Sequence, residues 1–188
     1  MNAVLEAIGK RSSTRSYTKE TLTKEELRLI LTAGLQAPTA RNQQEVHISV
    51  LTKESRLVRE IEQERVRLLL EEEKDEEQRE KLKNGTSDFY YGAPTVLLLS
   101  VKKDFYWNRV DAGICVENIA LAAQSLGLGS LIIGCIRGAM EGAKKDYFAK
   151  EAQFPEDYEF AIAVALGHIN TGKEPHQIDF EKSVSFIE

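Results

Sequence analysis

The spacing of apolar residues changes several times along the chain, and each change marks an element. Val4, Leu5 and Ile8 predict a short amphipathic helix ending at Gly9 or just beyond. Thr23 and Glu26 make a capping box, and Leu27, Ile30, Leu31 and Leu35 follow at helical spacing until Pro38 stops the helix. His47 to Thr52 alternates as a half-buried strand does, with Ile48 and Val50 on one side. From Lys53 to Lys83 the chain is dense in Glu, Arg and Lys. Leu57, Ile61, Val66, Leu68 and Leu69 leave only a narrow apolar stripe there, which predicts one or two solvated helices. Asn84-Gly85-Thr86-Ser87 is a break. Thr95 to Val101, after Pro94, is apolar throughout and predicts a strand buried on both faces.

Asp111 to Leu126 is apolar almost all round, with small residues at Ala112, Gly113, Ala120, Ala122 and Ala123. That predicts a buried helix which another helix can approach closely, with Gly127 capping its end. Leu131–Cys135 and Phe160–Leu166 read as strands on either side of a helix near Met140–Phe148. Beyond Ile169 the chain is polar, is interrupted by Pro175, and ends with Val184, Phe186 and Ile187 as a short strand. Helices and strands mix without regular βα alternation, so the expectation is α+β, a central sheet covered by helices in one domain over 1–188.

Composition narrows the chemistry. The chain has 25 basic and 30 acidic side chains, a net charge of −5, which argues against a nucleic-acid partner. No apolar run is long enough to span a bilayer, and the N-terminus lacks a secretory pattern. Cys115 and Cys135 lie far apart in apolar segments and read as buried thiols, consistent with a cytoplasmic protein. His47, His168 and His176 share no zinc-like spacing with them, so no metal site is expected.

Two polar clusters carry candidate chemistry. Arg11-Ser12-Ser13-Thr14-Arg15 supplies charge, forked donors and hydroxyls at one point, as an anionic group such as a phosphate requires. Its plain reading is a basic turn complementing a helix C-terminus. Ala37-Pro38-Thr39-Ala40-Arg41-Asn42-Gln43-Gln44 closes the second helix, and its plain reading is a polar stop. Gly127-Leu128-Gly129 is no dinucleotide fingerprint: it follows a helix and lacks a third glycine.

Taken in order, Arg-x-Ser-x-Arg, an amphipathic helix, Ala-Pro-Thr-x-x-Asn-x-Gln and a strand resemble the FMN-dependent nitroreductase-like family. Ala93-Pro94, Asp111-Ala112-Gly113, Glu117-Asn118, Ala122-Ala123, Gly127 to Ser130 and Ile133-Gly134 extend the resemblance over nearly the whole chain. The resemblance implies a central mixed β-sheet, an interlocked homodimer and FMN at the interface. It implies that Arg11, Ser12 and Ser13 meet the phosphate or ribityl chain and that Arg15 lies near the pyrimidine edge. There a fixed cation favours the reduced ring. Pro38, Thr39, Ala40, Asn42 and Gln44 are expected from the second subunit, with the Ile133-Gly134 backbone facing the isoalloxazine.

Two positions depart from the family pattern. Gln44-Glu45-Val46 replaces a common Gln-Pro-Trp, and His176 or Gln177 stands where a basic residue often reaches the phosphate. The implied activity is NAD(P)H-dependent reduction of electron-poor acceptors such as nitroaromatics, quinones or enones, in alternating half-reactions. The alternatives are a flavin-binding or structural dimer without turnover, and a reductive dehalogenase or flavin-fragmenting enzyme on the same fold.

Overall fold

The structure is a computed structural model and describes residues 2–84 and 88–187. It runs α1 (Ala3–Lys10), α2 (Lys24–Leu35), a 3-10 turn (Ala40–Asn42), β1 (Val46–Thr52), α3 (Arg56–Glu72) and α4 (Glu76–Asn84). There follow β2 (Thr95–Lys102), α5 (Trp107–Ser125), β3 (Leu128–Ile133), α6 (Arg137–Glu141), α7 (Lys145–Glu151), β4 (Tyr158–His168) and α8 (Phe180–Ser183).

The strands lie in the order β1-β2-β4-β3, and each neighbouring pair is antiparallel. The one parallel pairing among the described residues is the isolated bridge between Ser13 and Ser130. The mixed character expected of the sheet is therefore confined to that bridge.

The unbroken apolar run of β2 follows from a core on each face. Val96 and Leu98 join the core beneath α3, α6 and α7, while Leu97 and Leu99 join the one beneath α2 and α5. Because side chains alternate across a strand, Val96 to Leu99 are apolar at every position, and Ser100 is a buried polar exception with its hydroxyl 3.5 Å from His47 Nδ1. The Thr23–Glu26 capping box forms as expected and starts α2, whose Gly34 lies against α5. A Cβ there would come within 2.7 Å of Ile119 Cγ1. Gly127, at φ +74°, reverses the chain from α5 into β3.

Several expectations change. The close approach expected of α5 is made by α2 of the same subunit, and Ala112, Cys115, Val116, Ile119, Ala120 and Ala123 are buried, whereas Gly113 is exposed. The helix is not buried all round, because Trp107, Val110 and Ile114 stay exposed in a stripe. Cys115 is buried, but Cys135 is exposed: β3 stops at Ile133 and Ile136 takes the next core position. The helix expected near Met140–Phe148 divides into α6 and α7. The chain is extended at Gly142, where a Cβ would strike Gly138 O at 2.6 Å. Val184 to Ile187 form no strand and lie exposed after α8. Of the expected break at 84–87, residues 85–87 lie outside the described residues. Among the described residues, no helix is long and apolar enough to cross a membrane, and no group of three or more His, Cys, Asp or Glu side chains could hold a metal ion.

Candidate functional site

Arg11 caps the C-terminus of α1 through its own N–H, and the next residues lie beside β3. Thr14 is buried and donates its N–H to Ser130 O at 3.0 Å. Gly129 makes room for it, since a Cβ there would fall 2.6 Å from Thr14 Oγ1. In an extended segment, alternate side chains point to opposite faces. With Thr14 turned inward, Ser13 is half-buried and Arg15 exposed. The Ser13–Ser130 bridge holds this segment beside β3, and the chain then passes to the end of β4, where Tyr17 pairs with Ile169 and Thr18 donates its N–H to His168 O at 2.9 Å.

The donors in this cluster are largely uncommitted. Among the described residues, the Arg11 guanidinium meets one carboxylate, Glu117 Oε1, at 4.0 Å, beyond hydrogen-bonding range. Arg15 Cζ lies 6.0 Å from the ring centroid of Tyr91, at the outer limit of a cation–π contact. Neither serine hydroxyl has a hydrogen-bond partner among the described residues, although both are half-buried.

The loop after α2 is held differently. Asp111, 4% exposed in the second turn of α5, accepts the Ala40 N–H with both carboxylate oxygens, at 3.1 and 3.0 Å. Thr39 Oγ1 accepts the Gln44 N–H at 2.9 Å, and Asn42 Oδ1 accepts from Gln44 Nε2 at 3.0 Å. Arg41, Asn42 and Gln44 all have φ near +55°. That region is unfavourable for side chains other than Asn, so the loop stores backbone strain which its anchors must hold. Glu45 accounts for the departure from Gln-Pro-Trp: it pairs with Lys102 Nζ at 3.0 Å and ties the loop to the end of β2.

Within one subunit the two clusters do not meet. Arg11 approaches Glu117 and Ala40 is bound to Asp111, six residues apart on α5. That is about 9 Å along the axis and roughly a third of a turn around it. Five surface cavities of the subunit are lined by other residues. His176 lies on the exposed tail and makes no hydrogen bond or ion pair among the described residues, so it does not join Arg11 in this subunit. His168 ends β4, with Glu20 Oε1 3.9 Å from its Nε2. Asp111 as the loop's anchor and Tyr91 beneath Arg15 were missed by sequence reasoning. An acid at the head of the apolar stretch from Asp111 to Leu126 was the available signal for the first; Tyr91 had none.

The sequence profile of the Nitroreductase family matches residues 8–168. The chain belongs to the nitroreductase family. It is 33% identical over 162 residues to the FMN reductase [NAD(P)H] of Bacillus subtilis (strain 168), with 73% of this chain and 56% of that protein covered. It thus spans little more than half of that relative's length. A nitroreductase of Desulfitobacterium hafniense DCB-2, crystallised with bound FMN, superposes over 100% of both chains with a TM-score of 0.87 and 32% identity. An FMN-bound nitroreductase of Bacteroides fragilis NCTC 9343 does so with a TM-score of 0.85 and 26% identity. The nitroreductase fold of this chain therefore extends past the profile match, through the C-terminal tail.

Proposed function

We propose that this nitroreductase-family chain is one subunit of a homodimeric FMN oxidoreductase. It takes electrons from NAD(P)H and passes them to electron-poor acceptors such as nitroaromatics, quinones or enones. The observation that carries this reading is the segment from Arg11 to Arg15, held beside β3 by the Ser13–Ser130 bridge, with guanidinium and hydroxyl donors free of close internal partners among the described residues. The FMN-bound relatives support the choice of cofactor.

The residues present fit that cofactor. Arg11 can make charge-assisted hydrogen bonds to a phosphate, with Ser12 and Ser13 adding hydroxyl donors. Arg15 places a fixed cation where negative charge develops during reduction. Bound FMN supplies hydride acceptance from the nicotinamide and hydride donation to the acceptor. The chain binds, orients and excludes water, with Thr39, Asn42 and Gln44 reaching the partner's site.

A second copy also suits the surface. Val4, Leu5 and Ile8 on α1 and Trp107, Val110 and Ile114 on α5 are all exposed apolar residues. On each helix they fall at helical spacing on one face, and an exposed apolar face of this kind suits a partner surface.

The test is an anaerobic absorbance spectrum of the purified protein before and after NADH or NADPH. Flavin colour that bleaches with either supports the reading, whereas a colourless protein that takes up no FMN refutes it. Arg11→Ala should weaken FMN binding roughly ten- to a hundredfold, the equivalent of about 1.5–3 kcal/mol of charge-assisted hydrogen bonding. Equal affinity of wild type and variant in a fluorescence titration refutes the assignment of Arg11.

A further inference from the structure

The most buried arginine of α3 is the one that the fold leaves without a hydrogen bond. Arg56 and Arg67 pair with carboxylates of the same helix, Glu60 at 3.1 Å and Glu64 at 2.7 Å, and Arg59 donates to Glu54 O at 2.7 Å. All three side chains are exposed. Arg65 is 18% exposed, and its guanidinium makes no hydrogen bond among the described residues. The closest carboxylate oxygen, Glu72 Oε2, stands 3.9 Å from Nη1, beyond hydrogen-bonding range, on a side chain that is itself 70% exposed.

The sequence accounts for the gap. On one helix a carboxylate reaches an arginine from three or four positions away. Around Arg65 those positions hold Ile61, Leu68 and Leu69, and the fourth, Glu62, accepts the Phe89 N–H with its Oε1. A largely buried cation without a counter-charge is unfavourable and calls for an explanation.

The guanidinium lies against the stretch that follows β3. A Cβ at Gly138 would stand 3.4 Å from Arg65 Nη1, so glycine leaves the cation uncovered on that side. Gly134, Cys135 and Gly138 are all exposed. Burial raises the Cys135 thiol, and the Arg65 charge is close enough to act against that rise. Arg137, in the same stretch, is already held by Glu141 at 2.6 Å. The open forked donor is therefore that of Arg65, and its planar geometry matches a carboxylate or a phosphate.

We propose that Arg65 anchors an anion site between α3 and the exposed stretch from Gly134 to Gly138, where it takes the carboxylate or phosphate group of a reactant. Calling the bound molecule a reactant rests on the oxidoreductase reading above; the anion site itself does not.

The test is calorimetric titration of the protein as purified, with no reduced nicotinamide present, in two arms. One compares 4-nitrobenzoate with the uncharged 4-nitrobenzyl alcohol. The other compares NADP+ with NAD+, which lacks the 2′-phosphate. Wild type should prefer the anion about tenfold in at least one arm, the ratio expected of a charge-assisted hydrogen bond, and that arm identifies the source of the charge. Arg65→Gln should abolish the preference, as should Gly138→Asp, which offers Arg65 a carboxylate of its own. Arg137→Gln should keep it, since that guanidinium is engaged by Glu141. Ligand-free Arg65→Gln should melt no lower than wild type; a clear fall would mean that the fold already uses the charge and would overturn the proposal.

Absence of an anion preference in both arms overturns it as well. So does a preference that survives in Arg65→Gln or Gly138→Asp, or one that Arg137→Gln removes equally. Each of these results leaves the oxidoreductase reading standing. A preference that depends on Arg65, in a protein whose flavin neither NADH nor NADPH reduces, supports the anion site and removes the oxidoreductase reading.

Discussion

Replacing Asp111 tests whether one buried carboxylate fastens the strained loop from Pro38 to Gln44 to α5. Both of its oxygens accept the Ala40 N–H, and its side chain is 4% exposed. A hydrogen bond to a charged acceptor contributes about 1.5–3 kcal/mol. Deleting the side chain also relieves the cost of burying the charge, and water can reach the half-buried Ala40. The lower half of the range therefore applies, roughly 1.5–2 kcal/mol for Asp111→Ala. In a chain of this size that lowers Tm by roughly 3–8 °C. Asp111→Asn keeps an acceptor oxygen without the charge, so about half the loss is expected. Amide exchange locates the effect. If the loop opens locally, the Ala40 N–H should exchange about ten- to thirtyfold faster in Asp111→Ala, while amides of β2 change far less. A variant whose Ala40 exchange stays within about twofold of wild type refutes the idea that Asp111 holds the loop.

Burial, with Asp88 nearby, raises the Glu62 carboxyl to about 7. Its folded value lies above its unfolded one, so its contribution is full below about pH 4.3 and lost as pH rises through about 7. Glu62→Gln should therefore be more stable than wild type at about pH 8 and equal to it at about pH 4, as read by urea denaturation. Glu64 goes the other way: hydrogen bonds from Arg67, with Lys144 adding to them, hold its buried carboxyl down to about 2. That stability is present above about pH 4.3 and lost as pH falls through about 2. Because Arg67 and Lys144 are themselves half-exposed, Glu64→Gln should cost about 1–2 kcal/mol at neutral pH, and the gap should close in acid. Sedimentation at micromolar concentration should show a homodimer, and a folded, FMN-saturated monomer would remove the shared-site reading.

Local patterns identified most elements because their causes are local. The Thr23–Glu26 box needs only its own turn, and the alternation at His47–Thr52 needs only a strand with unequal faces. Capping, periodicity and the order of the polar motifs were enough for the α+β class, the central sheet and the family. The Arg11–Arg15 cluster was legible for the same reason: its residues are contiguous. Its orientation was not. Only the pairing of Ser13 with Ser130, far away in the chain, lays it along β3.

Where expectation and structure part, a distant contact decided the outcome. Composition alone does not say whether the small residues of α5 face a neighbour in the same chain or in another copy; the burial of Ala112, Ala120 and Ala123 within one subunit assigns these three to its own core. The exposure of Cys135 depends on where β3 stops relative to the core, a matter of one residue. Tyr90 was the least legible of all. Its sequence neighbours say only that it precedes a buried strand, whereas its burial with an unpaired hydroxyl among the described residues arises only once it packs into the core with α3, α6 and α7. Sequence by itself determined which residues can form each element and which chemical groups the chain carries. Tertiary structure decided which of those groups are buried, paired or left free, because desolvation and partner geometry arise only when segments distant in the chain pack together.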